Sequence, residues 1–290
     1  MIPELEYKKP KTLNAALKFL NQNAKAKVLA GGTDIIPGFH IESKRFIDIK
    51  TLVDIKEIPE LRKIVEKKDS IEVGAAVTFA EICEHPVIRK YVPLLADAAS
   101  MLGSLQIRNR ATIAGNFVNN APCADSVPPL LVYDAKIQIQ SEKRISEISL
   151  QKFLLQPYKT ALKKGEIVTK IIIPKPPEDF RGLFYKLGRR RAVAISRISL
   201  ALLISLENGL IKELKIGSGA VTPIGMRLYD VEKYAKGKIA SRKTFRELAI
   251  MLGQKVLGIT GLRWSSVYKL PVIQNLFYQL LSKLVEYEKN

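Results

Sequence analysis

The sequence of 290 residues is long enough to form two modest domains, and its 47% hydrophobic and 26% charged residues are typical of a globular protein. Two cysteines exclude a disulfide scaffold, no apolar run reaches the ~20 residues of a membrane span, and the N-terminus lacks the order of a secretory signal. These features predict a cytoplasmic protein with no membrane span.

The net charge of +19 is the unusual feature of the composition. Clustered lysines and arginines would favour nucleic-acid binding, because they neutralise phosphates. Here the basic residues are scattered, without interleaved aromatic residues or a recognisable nucleic-acid module. We interpret the charge as a lysine-rich surface that serves solubility or faces acidic partner proteins, and we expect no nucleic-acid partner.

The first 55 residues predict a small α/β unit. Thr12 is a plausible N-cap, because it precedes apolar residues that recur at helical spacing, namely Leu13, Ala16, Leu17 and Leu20. Residues 28–30 predict a short buried strand that ends at a Gly31-Gly32 turn, and residues 46–49 predict another strand.

Residues 71–74 open a second predicted unit. Thr78 and Glu81 have the spacing of a capping box, which predicts that a helix starts there. Residues 136–140 and 167–173 predict strands. Helices and strands that alternate in this way favour α/β or α+β layers over a helical bundle.

A proline-rich segment at residues 174–180 predicts the main domain boundary, because clustered prolines continue neither a helix nor the interior of a sheet. After it, strand-like runs at 199–206 and 211–216 flank Asn208-Gly209, which is a strong hairpin signal. Residues 244–288 are rich in helix-forming patterns.

Two turns carry the strongest functional signal. Residues 112–129 combine small residues, three asparagines, one acid and three prolines, a mixture that is not typical of a globular core. Small residues let backbone N–H groups approach a ligand, and fixed amides beside hydroxyls hold phosphates. The Gly31-Gly32 turn lies about eighty residues upstream and lacks the G-x-G-x-x-G fingerprint. The pair indicates one extended ligand with a central pyrophosphate, such as a dinucleotide.

Both segments resemble the two flavin-binding motifs in the FAD subunit of the molybdenum-containing hydroxylases. This family includes xanthine dehydrogenase, carbon monoxide dehydrogenase and archaeal aldehyde oxidoreductases. Residues 81–100 are similar to the helical segment that precedes the second motif, and residues 185–192 resemble the start of the C-terminal domain. The resemblance covers essentially the whole chain in the same order.

The resemblance implies an α+β fold. Residues 1–175 would form a two-subdomain FAD-binding domain of the PCMH (vanillyl-alcohol-oxidase-like) type, with subdomains of about 1–55 and 56–175. Residues 180–290 would form a smaller α+β C-terminal domain of the molybdenum-hydroxylase flavoprotein type, with a β-sheet and a helical end.

The resemblance also implies a set of residues that hold FAD. They are Val28, Leu29, Ala30, Gly31, Gly32, Thr33, Asp34 and Ile35 of the first motif, Thr112, Ile113, Ala114, Gly115 and Asn116 of the second, and Asp125, Val168 and Lys186. The first turn would surround the pyrophosphate, and Thr112 would add a hydroxyl to it. Val168 would contact the adenine side through its backbone.

Three of these side chains have a plainer structural alternative. Asn116 is a ligand contact or a turn-former in the left-handed conformation. Asp125 binds the adenosine ribose or caps the following helix. Lys186 lies near the flavin, where a cation would stabilise the reduced ring, or is a solvent lysine on a strand edge.

The run Arg189 to Arg191 is interpreted as a docking patch, although it could be solvated or hold the cofactor. Many family members carry an acid shortly after it, whereas here Ala192, Val193 and Ala194 follow. This departure puts the use of NAD in doubt and leaves oxygen, quinone or ferredoxin open as acceptors.

The implied function is electron transfer within an oxidoreductase complex. A large subunit would oxidise an aldehyde, carbon monoxide or an N-heterocycle at its molybdenum cofactor, and a small subunit would carry [2Fe-2S] clusters. This chain would bind FAD and form a hetero-oligomer with both. Its two cysteines cannot supply the four thiolates of a cluster, and His40 and His85 are too few for a catalytic or metal site. The alternatives are a self-contained FAD oxidoreductase of related fold and a basic binding module.

Overall fold

The computed structural model of the chain describes residues 3–190 and 193–286. Its first unit consists of β1 (Glu6–Lys8), α1 (Leu13–Gln22), β2 (Ala26–Leu29), α2 (Ile35–His40) and β3 (Thr51–Asp54). The strands form a parallel sheet in the order β1-β3-β2, so β3 lies in the centre. The Thr12 hydroxyl accepts a hydrogen bond from the Ala15 N–H at 3.2 Å, which confirms the predicted start of α1.

The strand predicted at residues 46–49 is wrong, because the third strand begins only at Thr51. The Phe46 ring is buried against Phe39, with the ring centroids 5.8 Å apart, and it also covers Gly38. The apolar side chain of Phe46 therefore packs in a small cluster with Phe39 and Gly38 and does not form part of a strand. The hydrogen-bonding position between β1 and β2 is taken by the Thr51–Asp54 segment instead.

The second unit is built on a five-stranded antiparallel sheet in the order β4-β5-β10-β6-β7. Its strands and the small β8-β9 hairpin are β4 (Ile64–Glu66), β5 (Ser70–Gly74), β6 (Lys136–Gln140), β7 (Ile145–Ser149), β8 (Leu154–Gln156), β9 (Lys159–Thr160) and β10 (Ile167–Pro174). The strands predicted at 136–140 and 167–173 are confirmed. The unit opens one strand earlier than the predicted residue 71, because β4 pairs with β5.

Seven helices belong to this unit. They are α3 (Phe79–Glu84), α4 (Pro86–Tyr91), α5 (Pro93–Ser100), α6 (Leu105–Arg108), α7 (Ile113–Asn119), α8 (Val127–Val132) and α9 (Leu150–Phe153). The capping box that starts α3 is confirmed, because the Glu81 carboxylate accepts from the Thr78 N–H at 2.7 Å and the Thr78 hydroxyl accepts from the Glu81 N–H at 3.3 Å.

The C-terminal unit is an antiparallel sheet with helices on one side. Its elements are β11 (Arg181–Gly188), β12 (Ser196–Glu207), β13 (Leu210–Gly219), β14 (Met226–Arg227), α10 (Tyr229–Ala235), α11 (Arg242–Thr260) and α12 (Ser266–Glu286). Asn208 and Gly209 join β12 to β13 with φ angles of 53° and 75°, as the predicted tight hairpin requires. Tyr287 and Glu288, at the end of the predicted helical region, lie outside the described residues.

The two larger units share strand β12, which is buried on both faces. Leu200 and Leu202 belong to the core formed with α11 and α12, whereas Ala201 and Leu203 belong to the core of the second unit. Helix α8 packs on β12, β13 and β14, and a Cβ at Gly217 would lie 2.4 Å from the Pro128 carbonyl oxygen. The chain is thus α+β as expected, with a closely packed junction.

In the part of the chain that the structure describes, no helix is both long enough and apolar enough to cross a bilayer.

Candidate functional site

The two predicted turns meet in the structure. A Cβ built on Gly31 would lie 2.2 Å from the Arg110 carbonyl oxygen and 2.9 Å from the Ala111 Cα. Only glycine therefore lets the turn after β2 lie against the segment that leads into α7. This contact joins segments about eighty residues apart and places the first turn beside the segment that leads into the second motif.

The first turn presents a row of free backbone amides. The N–H groups of Gly31, Gly32, Thr33 and Asp34 donate to no acceptor among the described residues. Gly32 adopts a φ of +75°, which glycine tolerates without strain, and the turn residues are half-buried. Consecutive free amides of this kind form a concavity that binds anions.

Arg45 neutralises the one carboxylate in this turn. Its guanidinium lies 3.0 Å from the Asp34 carboxylate and 2.8 Å from the Asn119 Oδ1. It also lies between two aromatic rings, 4.6 Å from the Phe46 centroid and 4.4 Å from the Tyr158 centroid. Arg45 was not among the predicted residues, and nothing in the sequence separates it from the other basic residues.

The second motif uses its amides differently. The Thr112 hydroxyl accepts from the Gly115 N–H at 3.2 Å and so caps α7, while the Ile113 and Ala114 N–H groups donate to Val77 and Ala75. These amides are therefore not available to a phosphate. What the motif offers a ligand is the exposed, side-chain-free surface of Gly115.

Asn116 is helical, so it is not the left-handed turn residue considered above; that conformation belongs to Asn120, with a φ of 47°. The Asn116 Oδ1 accepts from the Ser126 hydroxyl at 2.7 Å. Its Nδ2 donates to no acceptor among the described residues. Asn116 thus has a fixed orientation, and both N–H groups of its side-chain amide remain free to donate.

Asp125 and Lys186 form a buried ion pair between the two larger units. The Lys186 Nζ lies 2.6 Å from the Asp125 Oδ2, and the side chains are 7% and 6% exposed. The Ser196 hydroxyl donates to the other Asp125 oxygen, and Lys186 also donates to the Met101 carbonyl at 2.9 Å. Burial raises the pKa of Asp125 above its usual range, although Lys186 and Ser196 act in the opposite direction.

This pair and the start of α8 exclude two of the structural alternatives, and the ligand roles of both residues stay predictions. Lys186 is not a solvent lysine, because its side chain is almost fully buried. Asp125 does not cap the following helix, because the cap position of α8 is Ser126 and no side chain bonds to the helix N–H groups there. Ser196 was absent from the predicted residues, since only the fold brings it to a carboxylate 71 positions away.

A cavity of about 440 Å³ opens beside Lys186. One wall comes from the α5–α6 region and the other from the end of β11 and the segment after it. The lining residues are Ser100, Met101, Gly103, Ser104, Leu105, Arg108, Lys186, Gly188, Arg190, Val193 and Ala194. The volume is within the range of small-molecule sites. In the predicted docking run, Arg190 is exposed at the rim of this cavity and donates to the Val193 carbonyl. Arg191, the last residue of the run, and the following Ala192 lie outside the described residues.

Most of the remaining predicted residues are buried or half-buried parts of the elements that carry the two turns. Val28 and Leu29 lie on β2 and lead to Ala30, and Ile35 is buried at the start of α2. Ile113 and Ala114 share the core of the second unit with Val168. Val168 lies on β10 at an irregularity in its pairing with β6, which leaves local backbone out of the regular ladder.

Comparisons with known proteins agree over the whole chain. Residues 3–176 match the family described as the FAD binding domain in molybdopterin dehydrogenase, and residues 183–284 match the CO dehydrogenase flavoprotein C-terminal domain. The chain is 33% identical to the putative xanthine dehydrogenase FAD-binding subunit of Escherichia coli K12, over 96% of this chain and 95% of that protein. It is 30% identical to the nicotinate dehydrogenase FAD-subunit of Eubacterium barkeri, over 98% and 97%.

Solved structures have the same fold. Carbon monoxide dehydrogenase from Hydrogenophaga pseudoflava matches with a TM-score of 0.90 at 24% identity, covering 99% of both chains. Quinoline 2-oxidoreductase from Pseudomonas putida 86 also matches with a TM-score of 0.90, at 22% identity, covering 99% of this chain and 98% of that one.

Proposed function

This chain belongs to the family of FAD-binding subunits of molybdenum hydroxylases. From that premise we propose how its residues hold FAD for electron transfer. It is the flavoprotein subunit of an oxidoreductase complex. It takes electrons from iron–sulfur clusters of a partner subunit and passes them to an external acceptor. When bound, FAD supplies the exchange between one-electron and two-electron transfer.

The row of free amides in the first turn carries this proposal. The N–H groups of Gly31, Gly32, Thr33 and Asp34 would bind the pyrophosphate, and the Thr33 hydroxyl would add a donor. Arg45 would remove the repulsion between the Asp34 carboxylate and the phosphates. The Cα face of Gly115 would allow close approach from the opposite side.

We propose that the flavin ring occupies the cavity beside Lys186. Lys186 would place a positive charge at the ring edge, where it stabilises the negative charge of the reduced form. Asp125 holds that ammonium in place. A ribose contact by Asp125 would require one of its oxygens to exchange Ser196 or Lys186 for a ribose hydroxyl. Val168 remains a proposed backbone contact on the adenine side.

The proposed partners are a large subunit with the molybdenum cofactor and a small subunit with [2Fe-2S] clusters. Relatives include the carbon monoxide dehydrogenase medium chain of Hydrogenophaga pseudoflava and a nicotine 6-hydroxylase medium subunit, and their names describe parts of larger assemblies. We propose the same hetero-oligomeric arrangement here, in the cytoplasm and without nucleic acid. The substrate would be selected on the large subunit.

The division into residues 1–175 and 180–290 remains our proposal for the domains.

The decisive experiment compares the isolated chain with the co-expressed complex. Acid precipitation of the isolated chain should release all its flavin as FAD, because we expect noncovalent binding. Dithionite should bleach the bound flavin, whereas aldehydes and purines should not. In the complex, the substrate itself should bleach it. Oxidation of such a substrate by the isolated chain with a dye acceptor would replace the relay with a self-contained oxidoreductase.

A further inference from the structure

An exposed apolar patch lies at the turn between α11 and α12, on the C-terminal unit. We define the corner patch as Leu262, Trp264, Val267 and Tyr268, of which the first three are 85%, 86% and 86% exposed. Single exposed apolar residues are common on protein surfaces. Here four large ones lie within seven positions of the chain, and clusters of exposed apolar residues mark interaction sites. None of these residues takes part in the proposed FAD site.

The corner patch is bordered by positive charge without a described counter-charge. The Lys269 ammonium is half-buried and donates to the Ala220 carbonyl at 2.9 Å. Burial, Arg197 and Arg263 all lower the pKa of Lys269, which reflects three cations close together. No carboxylate in the described residues forms an ion pair with any of them.

A cavity of about 310 Å³ is lined by Arg263 and Lys269, and by residues that lie between the corner-patch residues in the sequence, Ser265 and Ser266. The N-terminal part of the chain contributes Pro122 and Pro157 to its walls, and the C-terminal unit contributes Thr222, Ser265 and Lys269. A cavity beside exposed aromatic and aliphatic groups is the usual position of an anchor side chain in a protein interface. Arg263 and Lys269 in its largely apolar lining suit an anchor that carries a carboxylate on an apolar stem.

We infer that the corner patch and its cavity dock an acidic, partly apolar segment of a partner subunit, an inference that rests on the proposed function. The apolar side chains would be covered by the apolar part of the segment, and a carboxylate would lie near Lys269 and Arg263. A second copy of this chain fits poorly, because it would bring two such groups of cations together. A nucleic acid would supply negative charge but no cover for Leu262 and Val267.

The test measures binding of purified partner subunits to the full-length, FAD-loaded chain. Trp264→Ser combined with Leu262→Ser should weaken binding about thirty-fold, since the loss of interface anchors typically has effects of this size. Arg263→Glu should also weaken binding and flatten its dependence on salt. Ile145→Ser and Lys243→Glu, which alter an exposed apolar residue and an exposed lysine elsewhere, should leave binding unchanged.

All variants should retain FAD and the wild-type melting temperature, because the altered side chains are exposed. Equal partner affinity in the wild type and the patch variants would overturn the assignment of this surface while leaving the proposed function intact. Failure of the wild-type chain to bind any partner would overturn both. Concentration-dependent dimers that Trp264→Ser abolishes would assign the patch to a second copy instead.

Discussion

Gly31 is the position where the site tolerates least change. Its missing side chain lets the turn after β2 touch the backbone of Arg110, and the free amides of the turn depend on that contact. Gly31→Ala should lower the free energy of unfolding by about 1–3 kcal/mol, the usual cost of overpacking, and should abolish FAD binding. Urea unfolding and the ratio of flavin to protein measure the two effects.

Gly258→Ala is the matched control. Gly258 lies in α11 with no atom within 4 Å of the position of a Cβ. Alanine there should stabilise the chain by about 0.5–1 kcal/mol, because it favours the helix, and should leave FAD binding unchanged. Equal flavin content in the Gly31→Ala and Gly258→Ala proteins would contradict the close approach of the two turns as the basis of the site.

The Asp125–Lys186 pair should behave as one unit. Asp125→Asn leaves a buried ammonium without its counter-charge and should destabilise the chain by about 3–5 kcal/mol. Adding Lys186→Met removes that charge, so the double variant should regain much of the stability while the FAD affinity stays low. A double-mutant cycle by urea unfolding checks the coupling, and additive losses would refute it.

At the scale of elements, Arg45 connects three segments that are distant in sequence. The loop that carries it reaches the start of α2 through Asp34, the end of α7 through Asn119, and the β8-β9 hairpin through the Tyr158 ring. These contacts hold the loop and the hairpin beside the first turn and the end of α7.

Arg45→Met should weaken FAD binding about ten-fold, because the Asp34 carboxylate would then face the pyrophosphate without compensation. Adding Asp34→Asn should restore most of the affinity. Titration of the apoprotein with FAD measures both, and Arg242→Met, at an exposed position at the start of α11, is the control. No recovery in the double variant would assign the role of Arg45 to stacking alone.

Local signals explain which elements were predictable. The capping box of Thr78 and Glu81 and the Asn208-Gly209 hairpin depend on neighbours in sequence, and both are confirmed. The strand at residues 46–49 was wrong, because the burial of Phe46 depends on Phe39 and Gly38 across a loop.

The candidate site was also predictable only where local sequence signals defined it. The motifs located its two turns, but sequence spacing did not reveal the contacts that decide side-chain roles. The Asp125–Lys186 pair joins positions 61 apart, and the Arg45–Asn119 bond joins positions 74 apart. Such partners depend on the packing of whole units, so Ser196 and Arg45 had no local signal.

At the scale of the whole molecule, the two larger units are joined by polar contacts as well as by β12. Arg227 on β14 makes a two-fold contact with Glu232, at 2.6 and 2.7 Å, and also reaches Asp134 at 2.7 Å and the Leu131 carbonyl at 3.2 Å. The Arg227 and Glu232 side chains are buried, whereas Asp134 lies across the junction on the second unit.

We therefore expect the apoprotein to unfold in one cooperative transition, with equal calorimetric and van't Hoff enthalpies. Arg227→Met leaves Glu232 buried without its partner and should lower the stability by about 3–5 kcal/mol. Differential scanning calorimetry measures both effects, and Arg242→Met should change neither. Two separate transitions in the wild type would mean that the junction does not couple the units.

Trp264 is the only tryptophan in the chain, and it is 86% exposed. Indole fluorescence moves to shorter wavelength when water around the ring is replaced by apolar groups, so the chain carries its own optical probe at the corner patch. Covering of that patch could be followed in real time without a label. The same exposure makes the fluorescence of Trp264 nearly insensitive to global unfolding, because the indole is already in water in the native state.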